Sequence, residues 1–142
     1  MATLTDDAIR DYQIAEREDY PVVADDTIYE GAAVGEDASG YARPLVAGDI
    51  FLGFAVEKVD NAGGAAGDIN VKVRSKGRVK ISVDGVTDVT ANDRAAVYAS
   101  DDDTFTLTSA SNSLIGYISR WDSGAICIVE FDALAAQAAL QV

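Results

Sequence analysis

The sequence has no histidine, one cysteine, two prolines and one tryptophan in 142 residues. Without histidine the chain lacks the commonest general base and the commonest zinc ligand. The single thiol, Cys127, has no intrachain partner for a disulfide and no imidazole to activate it. Inside the apolar run at 125–129 it reads as a buried structural side chain. There is no Gly-x-Ser-x-Gly elbow, P-loop or dinucleotide fingerprint. Basic residues are also scarce, 11 against 24 acidic ones, for a net charge of −13. A polyanion would be repelled by that charge, so no nucleic-acid partner is read. No apolar run approaches the roughly 20 residues of a membrane span, and the acidic opening residues carry no export signal. The carboxylates fall mostly in turns and near the start of the chain, where solvated acids are expected. The sequence therefore reads as a non-enzyme with no cofactor and no metal site.

What is present is strand grammar. Residues 27–59 run as β-branched and aromatic segments bounded by Gly, Asp and Ser clusters: a strand, a turn at 35–40, a short strand, a turn at 47–49 and a long strand. Alternation in the last of these puts Ile50, Leu52, Phe54 and Val56 on one face and Phe51, Gly53, Ala55 and Glu57 on the other. Residues 60–68 hold three glycines and read as a flexible loop. They lack the lysine and the following helix that a phosphate cradle needs.

Residues 69–83 read as a hairpin turning at Ser75, Lys76 and Gly77. Ile69, Val71, Val73, Val79, Ile81 and Val83 form its core face, and Lys72, Arg74, Arg78 and Lys80 a positive face. That positive face has two readings: charges that blunt an exposed strand, or a surface that meets acidic groups of another copy. Phe54 and Ile81 are expected to be buried. The run Asp101, Asp102, Asp103 reads as a solvated turn, since it lacks the Gly and distal Glu of a calcium loop. Short strands follow at 94–99, 104–108, 113–121 and 125–131, and Asp132 is placed to cap a short alanine-rich helix.

The fold class is thus all-β, a compact sandwich or small barrel of short antiparallel strands, with an N-terminal arm at 1–20, a β domain at 21–132 and a helical tail at 133–142. The arm is acidic, with Tyr12, Ile14 and Tyr20 among the charges and Pro21 at its exit. It reads either as an extended segment that lies against another surface or as one packed on its own domain.

The runs 28–35, 40–45 and 47–55, with 60–67, the basic segment, 96–99 and 114–117, resemble the capsid cement (head decoration) proteins of tailed bacteriophages. The resemblance spans about residues 20–132. It implies a structural virion protein, made in the host cytoplasm, that adds to the outer surface of an icosahedral head and helps the shell resist internal pressure. Its partners would be the major capsid protein and other copies of itself, a trimer being favoured over a dimer. The family supplies no contact motif, so the site residues are read from the chain itself: Tyr12, Ile14, Tyr20 and Pro21 for the shell, and Lys72, Arg74, Arg78 and Lys80 for a neighbouring copy. The alternative is a β-sandwich ligand-binding module such as a carbohydrate-binding domain, for which Tyr41, Tyr98 and Tyr117 would have to meet in space.

Overall fold

The computed structural model describes residues 17–88 and 94–140, which form twelve strands and one helix. Strands β1 (Arg17–Pro21), β3 (Ala33–Glu36), β4 (Ala42–Pro44), β5 (Ile50–Ala55) and β7 (Asn70–Arg74) make one sheet in the order β1-β7-β5-β3-β4. Beside it, β2 (Thr27–Ile28) pairs with β6 (Val59–Asp60). Strands β8 (Lys76–Asp84), β9 (Ala96–Ala99), β10 (Phe105–Thr106), β11 (Ser113–Ser123) and β12 (Ile126–Asp132) close into a small barrel in the order β10-β8-β12-β11-β9. Helix α1 (Ala133–Leu140) follows. The chain is all-β with a short C-terminal helix, as its turn and strand pattern implies.

The first sheet nearly closes on itself. Beyond Pro21 the chain runs on so that Val22 bridges Ala42 in parallel, and Val23 N–H donates to the Ala42 carbonyl at 2.9 Å. Val22, Ile28, Val34, Ala42, Leu52, Val71 and Val73 fill the space enclosed. A second core fills the barrel and reaches out of it to Leu45, Phe51 and Phe54. Strand β5 serves both cores. It does so through a bulge: Val34 pairs with Gly53 and Gly35 with Phe51, so Leu52 has no partner. One extra residue reverses the pleat. Phe51 and Phe54 thereby face the barrel core together, while Leu52 and Ala55 face the other. Simple alternation, which grouped Leu52 with Phe54, is corrected by that single residue.

The segment at 69–83 is not a hairpin. β7 pairs with β1 and β5, whereas β8 pairs with β12 and β10, so the chain passes from one sheet into the other at Ser75. The odd-numbered residues still point inward throughout: Val71, Val73, Ser75 and Val83 are buried, and Val79 and Ile81 are half-buried against the barrel core. Ile81 is therefore less enclosed than its pattern predicts. The residues that drive this are the same apolar ones; only their partners differ.

Three hydrogen bonds lock the two halves together. Ala33 N–H donates to the Asp102 carbonyl at 2.9 Å, Gly48 N–H to Ser113 Oγ at 3.1 Å, and Ala133 N–H to the Ser75 carbonyl at 2.8 Å. Asp132 caps α1 as its position implies, accepting Ala135 N–H at 3.2 Å. The helix then buries Ala133 and Ala136. An eight-residue helix has little stability alone, so this docking maintains it.

Candidate functional site

Several of the charged residues hold turns and strands in place. Arg43 on β4 donates from Nε and from a terminal nitrogen to the two carboxylate oxygens of Asp49, at 3.0 and 2.8 Å. Asp49 also accepts Val46 N–H at 3.0 Å, closing the turn before β5. The carboxylate lies over Gly35, the residue paired with Arg43, where any Cβ would collide with it. Asp49 raises the Arg43 guanidinium further above its usual range, against the opposing effect of partial burial. Gly35, Arg43 and Asp49 thus form one clamp, a forked pair of the kind only arginine makes.

The loop at 60–68 is pinned rather than flexible. Asn61, buried to 4 % exposure, donates from its side-chain amide to the carbonyls of Val23 and Ala65 at 2.9 and 3.0 Å. Asp25 accepts Gly63 N–H at 2.8 Å, and Gly67 N–H reaches the Val22 carbonyl at 2.9 Å. Gly64 serves close approach, since a Cβ there would collide with the Asn61 side chain, whereas Gly63 and Gly67 supply positive φ.

The run 101–103 is a hydrogen-bonded turn. Asp101 accepts Asp103 N–H at 2.9 Å and the Thr104 hydroxyl at 3.1 Å, and these bonds, with that to Asp103 first, hold its carboxyl below the usual range. Asp102 behaves oppositely: burial, then the neighbouring Asp101 charge, pushes it up. Among the described residues no group of three or more acidic, Cys or His side chains is placed to hold a metal ion. A raised carboxyl favours the fold while protonated, so its contribution is complete below the ordinary carboxylate range and is lost as pH rises through its raised value. Asp102→Asn is accordingly expected to melt higher than the parent at pH 7 and level with it near pH 3. Equal melting at pH 7 would mean that the turn solvates Asp102 fully.

The residues read as contacts are dispersed. Tyr12 and Ile14 lie outside the described residues. Tyr20 and Pro21 belong to β1, and Tyr20 is half-buried against the core of the first sheet. Burial, followed by the charges of Glu18 and Glu36, raises its phenol. The chain is therefore part of the domain from Arg17 onward, and these two side chains are not on a free arm. Lys72 and Arg74 sit on β7, Lys72 opposite Asp19. Arg78 and Lys80 sit on β8, in the other sheet, where Arg78 donates to Glu130 at 3.0 Å and Lys80 lies 3.3 Å from Asp122. Lys72 and Arg74 thus belong to one sheet and Arg78 and Lys80 to the other, and Lys72, Arg78 and Lys80 each have an acid of their own chain opposite or beside them.

What the sequence reading passed over is the outer face of β8, β12 and β11. Phe131, Val129 and Cys127 point into the barrel, so Glu130, Ile128 and Ile126 point out, in register with Arg78, Lys80 and Ser82 on one side. On the other side Tyr117 lies opposite Glu130 and Arg120 opposite Ile128. Tyr117 is 52 % exposed and Ile126 37 %. Alternation about Cys127 was the signal available. Trp121, opposite buried Cys127, points to the inner face at the barrel end, and its indole N–H donates to the Gly124 carbonyl at 2.9 Å. Tyr117 and Trp121 therefore lie on opposite faces and make no platform. Among the described residues ring-to-ring contacts join only phenylalanines, so Tyr41, Tyr98 and Tyr117 do not stack on one another.

No family model, curated protein or solved structure matches the chain. No helix among the described residues is long and apolar enough to cross a membrane.

Proposed function

We propose that this protein decorates the outer surface of a tailed-phage head, binding the major capsid protein and stabilising the shell. The observation that carries the reading is the clamp of Gly35, Arg43 and Asp49. The segments on which the resemblance chiefly rests, 28–35, 40–45 and 47–55, are the ones this clamp joins into a single rigid unit. A β framework fixed by such turns offers surfaces rather than a reaction centre, which suits a protein whose work is attachment.

In this reading residues 1–16 reach the shell, with Tyr12 and Ile14 as its apolar anchors. They enter the domain at Arg17, on the edge strand β1. An extended segment that pairs its backbone with a shell strand holds better than a domain perched on surface contacts alone. The test is co-sedimentation with empty heads of the phage that encodes the chain. Full-length protein is expected to saturate them at a ratio set by their symmetry. Deleting residues 2–16 is expected to leave the melting temperature unchanged and to weaken binding at least about tenfold. Extending the deletion through Pro21 removes β1 and lowers the melting temperature as well. Full-length protein that ignores the heads would remove the proposal. A truncated protein that still saturates them at the same concentration would move attachment to the β domain.

A further inference from the structure

We infer that the outer face of β8, β12 and β11 is where a second copy of this chain docks. The inference rests on the expectation from the sequence that copies of the chain associate on the head, and names the surface.

Charge selects it. Lys76, Arg78, Lys80 and Arg120 lie on this face with Asp84, Asp122, Glu130 and Asp132. It therefore gathers four of the 11 basic residues and only four of the 24 acidic ones. The face is formally neutral on a chain of −13. Two copies approaching through any strongly acidic surface repel each other, whereas this face removes that penalty and sets each copy's cations against the other's carboxylates. Both signs are interspersed along it, so it can also complement itself about a twofold axis.

Composition points the same way. Tyr117 and Ile126 are exposed on it, with Ile128 half-buried between them. Tyrosine and arginine are the residue types that anchor protein interfaces, presenting large area with few rotatable bonds or a flat, weakly hydrated cation. The ion pairs Arg78–Glu130 and Lys80–Asp122 are preformed. Each ties a long side chain to another strand of the same face, which lowers the ordering cost of covering it. Strands β11 and β12 are 11 and 7 residues long, so the platform extends past the shorter strands of the barrel.

The experiment is sedimentation velocity of the full chain, without heads, over a concentration series. Mass above the 14.9 kDa monomer is expected to grow with concentration. Tyr117→Asp and Ile126→Asp are each expected to weaken association at least about tenfold while far-UV circular dichroism stays that of the parent. Leu134→Asp, at an exposed apolar residue on α1, is the control and is expected to leave association intact. Three outcomes overturn the inference: a monomer at every concentration, association indifferent to both aspartates, or association abolished by Leu134→Asp alone. Should an aspartate variant unfold, Tyr117→Ser takes its place and is held to the same standard. Because no shell is present, failure here leaves the head-binding measurement to stand or fall separately.

Discussion

Replacing Phe54 with alanine is expected to cost about 3–5 kcal/mol, enough to lower the melting temperature by roughly 10–15 °C in a domain of this size. Its ring is the hub of the aromatic cluster, with centroids 4.9 Å from Phe131, 5.4 Å from Phe51 and 5.9 Å from Phe105. The contacts to Phe131 and Phe51 are edge-to-face, which adds quadrupole attraction to the area buried. The neighbours belong to both halves of the molecule, β5 on one side and β10 and β12 on the other. None can collapse into the vacancy without breaking its own strand pairing, so the cavity remains. Tyr29→Ala, at a residue 60 % exposed, is the comparison and should shift stability by less than about 0.5 kcal/mol. Melts of Phe54→Ala and parent that superimpose would contradict the whole placement of β5.

Gly53→Ala is expected to be nearly as damaging, at about 4 kcal/mol, for two separable reasons. Its φ of +136° lies where L side chains are strained, a cost of order 1–3 kcal/mol. A methyl group there would also run into the carbonyl of Arg74 on the neighbouring strand, adding an overpacking cost of similar size. Gly31 separates the two effects. Its φ is +86° and open space surrounds the position a methyl group would take, so Gly31→Ala should cost only the conformational part, about 1–2 kcal/mol. Chemical denaturation of both variants reads the difference. Equal losses at the two sites would show that the β5–β7 approach is looser than drawn.

Much of the architecture could be read in advance because local chemistry decides it. The cap at Asp132, the turn at Asp101, the buried thiol and the last hairpin each depend on residues a few positions apart. Two features escaped, the first because it depends on a partner far along the chain. Parity in β5 counts every residue, and the bulge at Leu52 is set by what β3 presents opposite it. The crossing at Ser75 escaped for the opposite reason, since inward-facing odd positions run unbroken from Val71 to Val83. A hairpin and a through-going strand satisfy that period equally. The lack of any interruption at Ser75, itself buried at 9 % exposure, favoured the strand. The candidate surface was less legible still. Counting basic residues by sequence grouped Lys72 and Arg74 with Arg78 and Lys80, but the crossing at Ser75 gives the two pairs different neighbouring strands.

The crossing at Ser75 has one further consequence, for ancestry. Every described strand before it belongs to the first sheet or the β2–β6 pair and every one after it to the barrel, with the helix following, which invites division of the chain there into two interchangeable modules. Yet Leu45, Phe51 and Phe54, from the first half, complete the core of the second. Severed at residue 75, the latter half would present its aromatic interior to water and the former would expose three large apolar side chains. Recombination at this seam is therefore expected to yield two sticky fragments, each with part of a shared core open to water.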